Sequence, residues 1–355
     1  MKKKSSLFLF AALVMFLGWN CSSVSEQRAI TANSNGRYDT GFPYNNAAEE
    51  LDDIGHSVQR VSSLTFYDSY IFADTGHIKY SQIKSENIEK EAVEKGYFNR
   101  SVTGTGILIY SVGNRIGLIT CSHVVNLPDT ILSYFRKKDG SPSEYLESVS
   151  IKSDQTIYGA GFPNGGLLNL ILFDKKTDIA FIGQKYTEPH PQLFQVFDYP
   201  LGDVKLLDWG SFVYVFGYPL NYKMITTGIV SVKSGDQYGN FLINSVINKG
   251  FSGGAVLAIK GGVPNFELVG ILRSVPEEVE NILQPDDLKN NATYDPQLPY
   301  KGNSYVRQLN SVNYGIAKVI PINLIHKFLE ENQTVLKDNG YSIDKFFFSK
   351  KLTNK

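Results

Sequence analysis

Cysteine is scarce: only Cys21 and Cys121 occur in 355 residues, about a hundred positions apart. A disulfide framework is therefore excluded as the basis of the fold. Net charge is lacking as well, because 35 Lys+Arg residues balance 35 Asp+Glu residues. That balance removes the electrostatic case for nucleic acid or an anionic membrane surface as partner. Long helical periodicity is rare, being confined to a charged stretch from Glu86 to Lys95 and an amphipathic one from Ile322 to Leu336. The first reads as an exposed insertion and the second as a terminal helix packed on a β body.

What is present is enough apolar material, 42% of the chain, to bury a large core, and the length suits two domains or one large β domain. Met1-Lys2-Lys3-Lys4 precedes an apolar run from Leu7 to Leu17. A basic start followed by a run too short to span a bilayer comfortably marks an export signal over residues 1–20. Cys21-Ser22-Ser23 then resembles the start of a bacterial lipoprotein, which makes Cys21 a candidate lipidation site and mature amino terminus. Gly18, Trp19 and Asn20 depart from the small residues preferred before such a cysteine, so plain secretion stays the alternative to a periplasmic or outer-membrane-associated lipoprotein. Residues 21–55 are rich in Ser, Asn, Gly, Asp and Glu with little periodicity, and read as a flexible tether.

From about residue 56 the chain turns to short β-forming segments rich in Tyr and Phe, separated by turn residues. This pattern predicts an all-β sandwich or a pair of barrels. Gly104 to Tyr110 and Ile116 to Thr120 form two strands around Ser111-Val112-Gly113-Asn114, and the second delivers His123 at its end. Thr177-Asp178-Ile179-Ala180-Phe181-Ile182 sets an aspartate at the start of an apolar strand, from which its carboxylate can accept a bond from an imidazole. Asn248-Lys249-Gly250-Phe251-Ser252-Gly253-Gly254-Ala255-Val256 places a serine among glycines ahead of another strand. Glycine permits the tight turn that projects a hydroxyl while backbone N–H groups, here those of Gly250 and Ser252, converge on a developing oxyanion. Each signal alone also fits a bland role: a core histidine, a turn aspartate, a flexible loop.

Together they are sharper, since His123, Asp178 and Ser252 follow one another in that order at strand ends and tight turns. The chain here resembles the chymotrypsin-fold, trypsin-like serine peptidases, and is most similar to their bacterial HtrA/Deg branch. Thr120-Cys121-Ser122-His123-Val124-Val125, Thr177 to Ile182, Phe216-Gly217-Tyr218-Pro219, Thr227-Gly228-Ile229-Val230-Ser231 and Ile247 to Val256 carry the resemblance in order. It implies an all-β fold of two six-stranded antiparallel Greek-key barrels with a C-terminal helix. The first barrel, carrying His and Asp, would span 56–196, and the second, carrying Ser, 197–337, before a tail at 338–355. It also implies a triad in which Ser252 is nucleophile, His123 base and Asp178 its orienting acid, with protein or peptide substrates and with no metal or cofactor required.

Phe251 stands where the family usually has Asn or Asp, so activation through a buried amino terminus is not expected. An insertion at 274–312, rich in Asp, Asn and Pro, is too long for a plain hairpin loop and suits a lid or specificity loop. The short stretch after the terminal helix leads to the expectation that no PDZ domain follows. By resemblance, the specificity pocket is lined around Val246 and by Leu272, Arg273 and Ser274. Val246 offers no acid for a basic side chain, so small or medium apolar residues are expected, unless Arg273 favours acidic or carboxy-terminal groups. A catalytically silent trypsin-fold lipoprotein that binds peptides is the competing reading.

Overall fold

The computed structural model describes residues 36–347 other than 44, 84–86, 138–140, 188–193, 275–276, 286–296, 298–303 and 313–314. Cys21 and the signal region lie outside the described residues. Seven strands build the first half: β1 Val58–Ile71, β2 Glu94–Val112, β3 Arg115–Cys121, β4 Thr130–Arg136, β5 Pro142–Gly159, β6 Leu167–Asp174 and β7 Ile179–Lys185. Their order β1-β2-β3-β7-β6-β5 closes through an antiparallel β1–β5 pairing, with β4 added outside on β5. The barrel thus has six strands. β2 turns into β3 through Gly113 and Asn114, and Gly113 takes the positive φ of 61° that such a two-residue turn needs.

The second barrel uses β8 Phe212–Gly217, β9 Met224–Val232, β10 Phe241–Ser245, β11 Ala255–Ile259 and β12 Phe266–Ser274. After an antiparallel ribbon of β13 Glu277–Pro285 and β14 Ser304–Val312, β15 Ala317–Pro321 completes it. The closed order is β10-β15-β12-β11-β8-β9. Within the insertion expected at 274–312, residues 277–285 and 304–312 pair as a β ribbon. Closure leaves no strand edge unpaired within each ring, which is how an all-β chain avoids edge-to-edge association.

The central strands of both barrels are apolar and buried on both faces, β8 and β11 along their full length. Ile107, Leu118, Ile119, Phe181 and Ile182 are buried in the first, and Val213, Val215, Phe241, Val256 and Val269 in the second. The helix Ile322–Glu331 buries Ile322, Ile325, Phe328 and Leu329, one face at helical spacing, in the same cluster as first-barrel residues. It packs on β12 and β15 of the second barrel.

Three sequence expectations need correction. The tether expected over 21–55 is shorter, because from Tyr38 onward the chain is fastened to the second barrel. Tyr38 is buried and donates to Glu267 Oε2 at 2.5 Å, while the Asp39 carboxylate accepts from the Gly261 and Gly262 N–H groups at 3.1 and 2.8 Å. A helix, Ala48–Ser57, follows and buries Ile54. Likewise the tail expected from 338 carries core residues: Tyr341, Ile343 and Phe346 are buried, with Tyr341 packed edge-on against Phe181 and Tyr110. Finally, the stretch from Glu86 to Lys95 is helical only over Ile88–Glu91, and β2 already begins at Glu94. Ile88 anchors it in a small third core with Tyr70, Phe72, Leu146 and Val149, while its other described residues stay exposed or, at Ala92, half-buried.

Candidate active site

β3 ends at Cys121, and one helical turn, Ser122–Val125, lifts His123 into a cleft of about 1410 Å³ between the barrels. Asp178 immediately precedes β7. It sits at φ 62°, in the left-handed region that Asp tolerates better than most residues because its short side chain bonds locally. That turn sends the carboxylate under His123. Oδ2 lies 2.8 Å from His123 Nδ1, and Oδ1 accepts the His123 backbone N–H at 2.9 Å. A carboxylate can only accept, so Nδ1 carries the proton and Nε2 is left as a base. Asp178 is buried whereas the His123 side chain is 42% exposed. The imidazole is thus held from below and open to the cleft.

Ser252 lines the same cleft from the turn that leads into β11. Gly250 has φ 108° and Gly253 φ 85°, and a Cβ on Gly253 would lie 2.0 Å from the Thr105 carbonyl oxygen. Only glycine fits there. Among the described residues Ser252 Oγ has no hydrogen-bond partner, leaving the hydroxyl able to turn toward His123 Nε2. The backbone polarity of the turn is one-sided. Gly250 O accepts from Thr105 Oγ1 at 2.7 Å and from the Tyr218 N–H at 3.3 Å, and Ser252 O accepts the Thr105 N–H at 2.7 Å. The Gly250 and Ser252 N–H groups, by contrast, have no backbone acceptor among the described residues. Carbonyls spent and amides unspent is the arrangement an oxyanion site requires.

Thr105 is a residue that sequence reasoning passed over. Fully buried at the end of the first barrel, it bonds Gly250 O, Ser252 O and the Tyr218 N–H, while Thr120 Oγ1 donates to its own carbonyl at 2.6 Å. It ties the serine turn of one barrel to the histidine strand of the other. In sequence it is one β-branched residue among many, and only its place between Gly104 and Gly106 hinted at a close approach.

The residues expected to line a specificity pocket separate. Val246 is 69% exposed and is not part of the cleft wall; its neighbour Ile247 is. The alternation of β10, continuing past Ser245 with inward Ser245 and Ile247, turns Val246 to solvent. Leu272 is fully buried and lines the cleft, and its carbonyl accepts from Gly253 N at 2.7 Å and Cys121 Sγ at 3.2 Å. Arg273 also lines the cleft, but its Nε donates to Asp178 Oδ2 at 3.2 Å. The backbone of Ser274 closes β12 beside Lys318.

Cys121 Sγ, His123 and Asp178 offer donor atoms within 4.8 Å of one another. They fit a hydrogen-bond network better than a metal centre. Burial, and then the Asp178 charge, push the Cys121 thiol well above its usual range, and the Arg273 cation already sits on the Asp178 oxygen that a metal would need.

Two closed antiparallel six-stranded barrels with a His–Asp pair and a serine turn in the cleft between them define a chymotrypsin-like fold. Residues 104–271 match the family model described as the trypsin-like peptidase domain. Among solved structures it is similar to HtrA-type protease AlgW with a tripeptide, at 17% identity and a TM-score of 0.41, covering 83% of this chain and 65% of that one. AlgW with a decapeptide matches at 17% identity and a TM-score of 0.40, over 82% of this chain and 68% of that chain. The chain therefore spans about two thirds of the length of these structures. No curated protein matches it in sequence.

Proposed function

We propose that this chain is an endopeptidase of exported proteins or peptides that works through a Ser252–His123–Asp178 triad. One observation carries the reading: the His123 Nδ1–Asp178 Oδ2 contact of 2.8 Å, directed so that Nε2 faces the cleft that Ser252 lines. Ser252 Oγ attacks the scissile carbonyl while His123 Nε2 takes its proton, and the same proton passes to the leaving amine. Water then hydrolyses the acyl-enzyme by the reverse roles. Asp178 fixes the productive tautomer and stabilises the imidazolium. The Gly250 and Ser252 N–H groups bind the oxyanion, and losing one such donor costs about 10²–10³ in rate.

Cys21, lipidated, holds the mature protein at the cell envelope in this reading. Support comes from the basic and apolar leader before Cys21. The test is fluorophosphonate labelling of wild type beside Ser252→Ala in membrane and soluble fractions. Labelling of the wild type alone, in the membrane fraction, is the expected result. Equal labelling of both proteins removes Ser252 as nucleophile; a wild type that binds peptides yet never labels points to the silent binding module; label in the soluble fraction removes the anchor.

A further inference from the structure

We propose that Arg273 is a positioning residue for the Asp178 carboxylate and does not select substrates; this rests on the triad reading above. The backbone provides the first argument. Along the β12–β15 pairing, Leu272 opposes Val319 and Ser274 opposes Lys318, so Arg273 is the extra, unpaired residue of a β-bulge. A bulge breaks the two-residue alternation and re-aims one side chain. Here it carries the guanidinium to Asp178, where Nε donates to Oδ2 at 3.2 Å, the same oxygen that takes His123 Nδ1–H at 2.8 Å.

The second argument is electrostatic. Asp178 is 6% exposed and the Arg273 side chain 23% exposed. A carboxylate this buried is costly unless paired, and removing the partner of a buried ion leaves an uncompensated charge. Asp178 thus has all its contacts assigned: Oδ1 to the His123 backbone, Oδ2 to the imidazole and to Arg273. An Arg engaged in this way has its Nε turned inward onto the carboxylate. An acidic substrate group would have to compete with Asp178 for it, which argues against Arg273 as the anchor for acidic or carboxy-terminal residues.

The experiment measures kcat and KM for Arg273→Ala, Arg273→Gln and Arg273→Lys on paired peptides that differ only in an acidic or apolar residue before the scissile bond. Ser252→Ala is measured beside them. Loosening Asp178 is expected to lower kcat by about 10–100-fold, the scale of a misplaced catalytic group, with KM and the acidic-to-apolar ratio unchanged. Guanidinium ion added at low concentration is expected to restore part of the turnover of Arg273→Ala. The low-field resonance of the His123 Nδ1 proton should also move in Arg273→Gln, a signature that a merely structural role would leave in place. A raised KM with an altered acidic-to-apolar ratio overturns the inference in favour of specificity, and wild-type kinetics with an unmoved resonance overturns it outright. Should Arg273→Ala fail to fold, the Lys and Gln variants carry the same decision. If Ser252→Ala turns over peptide like the wild type, the triad reading itself has failed, whatever Arg273 does.

Discussion

Phe251 decides how the serine turn is held, and its truncation is the most informative perturbation of stability. In trypsin-like enzymes activated by cleavage, an acid at this position pairs with a new amino terminus; here an aromatic ring takes its place. Phe251 is 2% exposed and belongs to the second-barrel core with Val215, Ile247, Val256 and Leu272. It rests on Gly217, where an added Cβ would lie 2.3 Å from Phe251 Cδ1 and 2.8 Å from its Cα. Its N–H reaches Asn248 O at 3.3 Å and its carbonyl accepts Gly254 N at 2.8 Å, so the residue pins the turn on both sides of Ser252. Phe251→Ala removes a fully packed ring from a site whose backbone cannot collapse, so the cost belongs near the usual 3–5 kcal/mol for such truncations. Against a typical total of about 5–15 kcal/mol, that loss takes a large share of the stability. Urea unfolding should show a lower midpoint at an unchanged m-value. Fluorophosphonate labelling of the fraction still folded should slow by up to about 10²–10³, the worth of one oxyanion donor, because Gly250 and Ser252 lose their shared anchor. A stability loss under about 1.5 kcal/mol, the size of a tolerated core swap, would refute the packing argument. Wild-type labelling of the folded variant would refute the coupling of core to turn.

Two further outcomes follow from the same neighbourhood. Thr105→Val keeps the shape of a fully buried residue but deletes the hydroxyl that joins Gly250 O to the Tyr218 N–H. Tyr218 N also contacts Gly250 O at 3.3 Å and can shift onto it, so unfolding should show a loss of only about 1–2 kcal/mol, while kcat falls more than tenfold with KM steady. Cys121 is buried, and burial, before the Asp178 charge, raises its thiol well above the ordinary range. Native protein at pH 8 should leave Cys121 unmodified by iodoacetamide, and unfolding in urea should expose it, as peptide mapping would show.

The parts of this molecule that could be read from sequence are those in which local chemistry and local geometry coincide. His123 ends an apolar strand, Asp178 begins one, and Ser252 lies between glycines whose positive φ values, 108° at Gly250 and 85° at Gly253, no other residue adopts cheaply. Each alone also fitted a bland role, and it was their order along the chain that made them legible together. Alternating apolar residues likewise announced strands and a C-terminal amphipathic helix. What could not be read depends on contacts between distant segments. Residues 36–55 are polar enough to pass for a tether, yet a few of them, Tyr38, Asp39 and Ile54, find partners across the second barrel and in the core. Thr105 looks like any strand threonine until the serine turn is brought onto it.

Register is the harder limit, and Val246 and Arg273 show it from opposite sides. A one-residue displacement along a strand exchanges its faces, so placing Val246 instead of Ile247 in the cleft is the smallest error possible and still reverses the role. At Arg273 regular alternation gives the wrong answer even when the strand is placed correctly, because the bulge opposite Val319 and Lys318 inserts an extra residue. Nothing in Leu272-Arg273-Ser274 signals that bulge: it contains no glycine and no proline. The guanidinium is held inward by a carboxylate 95 positions away in the chain, so the pairing of Arg273 with Asp178 is a property of the two closed barrels together and of neither strand alone. The same closure that sets the triad also draws the Arg273 cation, which the sequence offered for substrate selection, onto Asp178. Any selectivity for the residue before the scissile bond then falls to the wall formed by Ile247, Asn248 and Lys249 beside Leu272.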